Sequence, residues 1–73
     1  QKIQRTRQMI DEMLERGTFV HKGHSVRFTM LEDNTVKVIE KFGDTQATPK
    51  RLDMSEAIEY QDQLKEIGYG KED

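Results

Sequence analysis

Two histidines, His21 and His24, stand on either side of a Lys-Gly pair in the stretch FVHKGHSVRF. Imidazole nitrogens bind zinc, but a catalytic zinc site takes three protein ligands and a structural site takes four. If the Lys-Gly pair is a two-residue turn, the histidines face each other across a hairpin with their Cβ atoms about 5 Å apart. Glu40 is the one further ligand that the strand register would bring near. We therefore predict an ordinary hairpin end with no metal and no cofactor; a metal site or a pH-sensitive pair are the alternatives.

The residue patterns that usually carry catalysis are absent from the sequence or badly spaced. The chain has no cysteine, and its five glycines are isolated, so it has no glycine-rich phosphate loop. Ser25 and Ser55 lie outside any strand–turn–helix pattern that could expose a nucleophile. Loop acids such as Glu32, Asp33 and Asp44 usually serve only to form turns. We predict that the protein is not an enzyme.

Length and composition indicate one small domain, residues 1–73. Only 33% of the residues are apolar and 36% are charged, so the hydrophobic core must be thin. No apolar run approaches the ~20 residues that cross a bilayer, and no signal peptide is recognisable. We expect a cytoplasmic protein that does not enter a membrane and is a monomer or a weak homodimer. The chain begins with Gln rather than Met, so it can be a fragment of a longer chain.

Charge is unevenly distributed along the chain, although the net charge is only −2. Residues 1–52 hold ten Lys and Arg against seven Asp and Glu, whereas residues 53–73 hold two against seven. The acidic excess therefore lies in the last predicted element. Such charge usually does no more than solvate one face of a helix.

Two segments have the spacing of amphipathic helices. The first, residues 2–16, has an apolar stripe at helical spacing and ends before Gly17. The second begins with a capping box formed by Asp53 and Glu56 and ends at Gly68. We expect residues 70–73 to be a loose tail. The first stripe consists of Ile3, Thr6, Ile10, Met13 and Leu14, and the second of Ala57, Tyr60, Leu64 and Ile67.

The alternation of apolar and polar residues around Phe28 and Val38 predicts strands and sets their register. A two-residue loop between them would turn lysines toward the core, whereas a three-residue loop at residues 32–34 pairs Phe28 with Val38. Asn34 then occupies the left-handed position that this loop needs. A two-residue turn at residues 22–23 continues the register into a preceding strand. The predicted core side of the sheet carries Phe19, Val26, Phe28, Met30, Val36, Val38 and Phe42.

These elements predict an α+β fold. An N-terminal helix is followed by a three-stranded antiparallel meander and a C-terminal helix, and both helices pack on one face of the sheet. Residues 45–48 can add a short fourth strand that ends before Pro49.

The other face of the sheet is predicted to be open to solvent and rich in cations. Basic and β-branched residues are common on a bare antiparallel sheet, so plain solvation is one interpretation. Arginine beside exposed apolar residues also makes a good interface centre, and we predict a protein–protein interaction domain that uses this face. The alternative is a domain that binds DNA or RNA through the same face. The predicted binding residues are Val20, Arg27, Lys37, Ile39 and Lys41, with Lys50 and Arg51 as further cations for phosphate contacts.

Overall fold

The computed structural model describes residues 6–72 of the chain. These residues form an α+β fold with two helices and a six-stranded antiparallel sheet. The strand order is β6-β1-β2-β3, and both β4 and β5 pair with the outer edge of β3. The elements in chain order are α1 (Arg7–Met13), β1 (Gly17–His21), β2 (His24–Met30), β3 (Val36–Phe42), β4 (Thr45–Gln46), β5 (Lys50–Leu52), α2 (Met54–Ile67) and β6 (Gly70–Glu72).

The first hairpin has the predicted two-residue turn. Lys22 and Gly23 have φ angles of 47° and 80°, so both adopt left-handed backbone, as a type I′ turn requires. This turn matches the right-handed twist of the strands, and its length pairs His21 with His24. Phe19 consequently lies opposite Val26, and the predicted register of β1 against β2 is confirmed.

The second hairpin confirms the three-residue loop. The Leu31 amide donates to the Thr35 carbonyl at 2.8 Å and closes the loop, while Asn34 has a φ of 68°. Asparagine tolerates this left-handed conformation better than most residues. Phe28 therefore pairs with Val38, which keeps the apolar side chains of β2 and β3 on one face.

The core lies between this face of the sheet and α2. Phe19 and Phe28 meet edge to face, with their ring centroids 5.5 Å apart, and both rings are almost fully buried. The prediction of buried residues is wrong at two positions: Met30 is only half-buried, and Phe42 is 53% exposed. Phe42 is the last residue of β3, at the rim of the sheet, and stacks on His24. The buried cluster consists of Leu14, Phe19, Val26, Phe28, Val36, Val38, Met54, Ala57, Ile58 and Leu64.

The predicted count of three or four strands is too low, because β5 and β6 were not foreseen. β5 pairs Lys50–Leu52 with the first half of β3, and β4 pairs with its end. β6 pairs Gly70–Glu72 with Thr18–Val20 of β1, so the expectation of a loose tail is wrong for these residues. Strands of two or three residues are too short to produce an alternating pattern that can be recognised.

Helix α1 is shorter than predicted. It begins after Thr6, whose hydroxyl accepts a hydrogen bond from the Met9 amide, and it ends at Met13. Leu14 is already extended and leads toward β1, while Ile10 packs against the core. Residues 2–5 of the predicted helix lie outside the described residues. The apolar side of this helix is only partly buried, since the side chains of Met9 and Met13 are 42% and 41% exposed.

Helix α2 has the predicted caps. The Asp53 side chain accepts from the Glu56 amide at 2.8 Å, and the Glu56 side chain accepts from the Asp53 amide at 3.3 Å. Gly68, with a φ of 123°, ends the helix, and the Tyr69 amide donates to the Leu64 carbonyl. This C-cap turns the chain back toward β1, where β6 forms.

Candidate binding face

The side of the sheet away from the core is a polar surface that we call the open face. Its residues have the parity opposite to Phe19 and Phe28 in the observed register. The buried side chains of α2 lie on the other side, and no helix of residues 6–72 covers this surface. The predicted packing of both helices on the sheet differs in detail, because α1 packs mainly against α2. The open face consists of Thr18, Val20, Ser25, Arg27, Thr29, Lys37, Ile39, Lys41, Gln46, Arg51, Gly70 and Glu72.

Ile39 lies at the centre of this face and is half-buried. Arg27 is directly opposite Ile39 on β2. Lys37 and Lys41 flank Ile39 along β3, each about 7 Å away because side chains of one face repeat every second residue. One apolar side chain is thus surrounded by three cations. A shallow depression here is lined by Thr18, Ser25, Arg27, Ile39, Lys41 and Gln46.

Lys50 and Arg51, the two further cations predicted for this site, both belong to β5 but lie on opposite sides of the sheet. Arg51 pairs with Lys37 and therefore joins the open face. Lys50 pairs with Val38, so it has the parity of the core side and lines a groove there with Glu56. No strand was predicted at residues 50–52. Because successive side chains of a strand point to opposite faces, β5 places Lys50 and Arg51 on opposite sides of the sheet.

Val20 and β6 define the other end of the open face. Val20 is half-buried and lies between Ser25 on β2 and Gly70 on β6. Glu72 of β6 lies opposite Thr18 and lines a second depression with Arg27. Glu72 was not predicted at this site, because residues 70–73 have no recognisable strand pattern and were expected to form a tail.

The cations of the open face have no carboxylate partner among residues 6–72 at ion-pair distance. The ion pairs formed within that part of the chain join Arg16 to Asp11 and Lys65 to Glu15, both at 2.8 Å. Two acids partly offset the positive charge, since Glu72 lines a depression with Arg27 and Arg51 attracts the Asp33 carboxylate. The surface around Ile39 still carries an excess of cations. A surface of this kind attracts anionic ligands before contact is made.

The outer surface of α2 has the opposite charge. Its exposed acids, Glu56, Glu59, Asp62 and Glu66, stand on the helix that covers the core side of the sheet. Lys65, the cation in its last turn, is paired with Glu15. The small domain therefore has a cationic side and an acidic side, with the core between them.

The two histidines belong to an aromatic cluster at the rim of the sheet. His24 stacks on Phe42, with ring centroids 4.1 Å apart, and its Nδ1 shares a hydrogen bond with the Tyr69 hydroxyl. The His21 ring lies 5.1 Å from the Tyr69 ring. Glu40 is engaged elsewhere, and residues 6–72 contain no group of three His, Asp or Glu side chains arranged to hold a metal ion.

Glu40 accepts a hydrogen bond from the Tyr60 hydroxyl instead. This pair lies on the core side of β3, where Tyr60 also contacts Phe28 edge to face at 5.8 Å. Burial raises the pKa of the Tyr60 hydroxyl well above its usual value, and the Glu40 carboxylate raises it further. Tyr60 therefore stays protonated and acts as a donor that fixes α2 to β3.

No family model matches this chain, and no curated protein or solved structure is significantly similar to it. None of the described helices is both long and apolar enough to cross a membrane. An α+β architecture hosts many unrelated activities, so function has to be argued from the residues of the open face.

Proposed function

We propose that the protein is a non-enzymatic binding module and that its open face binds an acidic surface of another protein. The observation that carries this proposal is the half-buried Ile39 with Arg27, Lys37 and Lys41 around it. We further propose that the module acts in the cytoplasm as a monomer or a weak homodimer.

The physical basis is the combination of an apolar centre and a charged rim. Apolar contact at the centre of an interface, from which water is excluded, supplies most of the affinity in protein complexes. Cations at the rim accelerate the encounter with an acidic partner and discriminate against basic partners. Arg27 suits this role because its planar guanidinium can bind a carboxylate with two parallel hydrogen bonds.

A nucleic-acid ligand is a second candidate, because the acidic outer surface of α2 faces away from the open face. Four cations, Arg27, Lys37, Lys41 and Arg51, are then available for phosphate contacts away from the acids of α2. The open face carries no aromatic side chain, however, since every Phe and Tyr of the chain lies elsewhere. Single-strand binding depends strongly on stacking of bases on such side chains, so we rank this candidate second.

An amide-resolved NMR titration distinguishes the two candidates. The protein would be titrated at two salt concentrations with poly-glutamate, with mixed-sequence single-stranded and duplex DNA, and with RNA. Shifts of the open-face amides with poly-glutamate support an acidic protein ligand. Stronger shifts with nucleic acid that weaken steeply with salt would favour a nucleic acid over an acidic protein as the ligand, since phosphate contacts release counterions. No shift with any polyanion at low salt contradicts both.

Variants of the open face supply the control. Arg27→Ala and Lys37→Ala should each weaken the response to poly-glutamate. Both should keep the free energy of unfolding within about 0.5 kcal/mol, because their side chains make no ion pair within residues 6–72. Lys50→Ala removes a cation from the other side of the sheet and should leave the response unchanged. A large loss of stability in the first two variants would mean that this face is covered.

A further inference from the structure

The cations of the open face have a regular spacing along one strand. Lys37, Ile39 and Lys41 are alternate residues of β3, so their side chains leave the same face at intervals of about 7 Å. The order along the strand is cation, apolar, cation. Arg27 adds a third cation directly across from Ile39.

An extended peptide has the same repeat, because its alternate side chains also project from one side about 7 Å apart. A helix does not, since neighbouring side chains on one helical face are separated by about 5–6 Å and come from residues three or four apart. A peptide lying along β3 can therefore place carboxylates over Lys37 and Lys41 while an apolar side chain contacts Ile39.

We propose that the open face recognises an extended acidic segment of a partner protein with the pattern acid–x–apolar–x–acid. This inference rests on the proposed function and specifies the ligand of the same site. The positive charges of Lys37 and Lys41 favour an acidic ligand. The half-buried Ile39 between them favours an apolar group at the centre of that ligand.

The other acidic ligands fit these positions less well. A nucleic-acid backbone offers phosphates but no apolar group to cover Ile39. A second copy of this chain would present its main acidic surface on α2, where Glu59, Asp62 and Glu66 stand at helical rather than extended spacing. Self-association is an outcome that the test below can detect, and nucleic-acid binding is detected by the titration described under Proposed function.

The test uses three capped heptapeptides that differ either in the position of the acids or in the central residue. TETITET has the proposed spacing, ETTITTE has the same composition with the acids moved one position outward, and TETTTET lacks the apolar residue. NMR titrations at low salt would give the dissociation constant of each peptide and the amides that shift. We expect TETITET to bind most tightly, with shifts centred on Lys37, Ile39 and Lys41 and weakened by added salt.

Variants of the protein assign the contacts. Lys37→Ala and Lys41→Ala should each raise the dissociation constant of TETITET by about two- to fivefold, the range expected for a solvent-exposed ion pair. Ile39→Thr keeps the β-branched shape and should weaken TETITET but not TETTTET. Lys50→Ala, the matched cation on the other side of the sheet, should leave all three titrations unchanged.

The possible failures are distinguishable. Equal binding of TETITET and ETTITTE would overturn the spacing inference and leave the proposed function standing. Amide shifts with poly-glutamate but with none of the heptapeptides would also overturn the proposed peptide pattern and leave the proposed function standing. Salt-dependent self-association abolished by Lys37→Ala would replace the peptide with a second copy of the chain. No shift with any peptide or with poly-glutamate would overturn both proposals.

Discussion

Gln61 is a polar side chain that is almost fully buried, at 1% exposure. Its amide oxygen accepts from the Glu15 amide at 3.1 Å, and its amide nitrogen donates to the Glu15 carbonyl. Gln61 thus satisfies both backbone groups of a residue between α1 and β1, as a neighbouring strand would. No sequence pattern pointed to this role, because a glutamine on a helix is usually exposed.

Replacing Gln61 with leucine should destabilise the protein although the new side chain is apolar and similar in size. The two backbone groups of Glu15 would lose their partners, which costs about 1–3 kcal/mol. Urea denaturation followed by circular dichroism would measure the change in the free energy of unfolding. Gln63→Leu, on the exposed side of the same helix, is the matched control and should be nearly neutral. Equal effects of the two changes would mean that the link to Glu15 contributes nothing.

Tyr60 gives the stability a dependence on alkaline pH. Its pKa is raised in the folded protein by burial and by the hydrogen bond to Glu40, whereas the unfolded chain has the ordinary value of about 10. The associated stability is therefore fully present below pH ~10 and is lost as the pH rises further. Urea denaturation between pH 9 and 11 should show this loss in the native protein and a smaller loss in Tyr60→Phe.

The pKa itself can be measured in a variant with one tyrosine. In Tyr69→Phe, the absorbance change of tyrosinate formation reports Tyr60 alone, since the chain contains two tyrosines. The titration should begin well above pH 10 in the folded variant and near 10 in urea. Coincident curves in the two conditions would exclude the buried hydrogen bond.

Among the secondary-structure elements, the two hairpins were the most predictable, because loop length and apolar alternation both constrain the register. A slip of one residue in the pairing would turn Phe28 and Val38 to solvent, so few other registers keep the apolar side chains in the core. The caps of α2 were equally specific, since Asp53 and Gly68 each have a physical role at a helix end. β5 and β6 could not be predicted, because pairing with β3 or β1 decides their conformation more than their own residues do.

A pair of phenylalanine variants tests this arrangement. Phe28→Ala removes a buried ring that contacts Phe19 and Tyr60, and it should cost about 3–5 kcal/mol, enough to unfold so small a domain. Phe42→Ala removes a ring that is 53% exposed and stacked on His24, and it should cost about 0.5–1.5 kcal/mol. Thermal denaturation of both variants would rank them. A larger effect at Phe42 would contradict the position of the core.

At the scale of the whole molecule, the charge asymmetry seen along the sequence becomes an asymmetry in space. The acids of α2 and the cations Arg27, Lys37, Lys41 and Arg51 lie on opposite sides of the core. The register predicted from the sequence placed five of the seven candidate residues on one face, and Arg51 joins them only through its pairing with Lys37 in the structure. Lys50 could not be assigned to a side until the existence of β5 was known.

The pairing of β6 with β1 also has a consequence for how the chain acquires its fold. Thr18 meets Glu72 only after nearly the whole described chain has been made, whereas each hairpin joins neighbouring segments. Contacts between distant segments form slowly because they require the closure of a long loop. During synthesis on the ribosome, the outer edge of β1 should therefore remain unpaired until residues 70–72 emerge. An unpaired edge invites association with other chains, so this interval is when the nascent protein is most prone to aggregate.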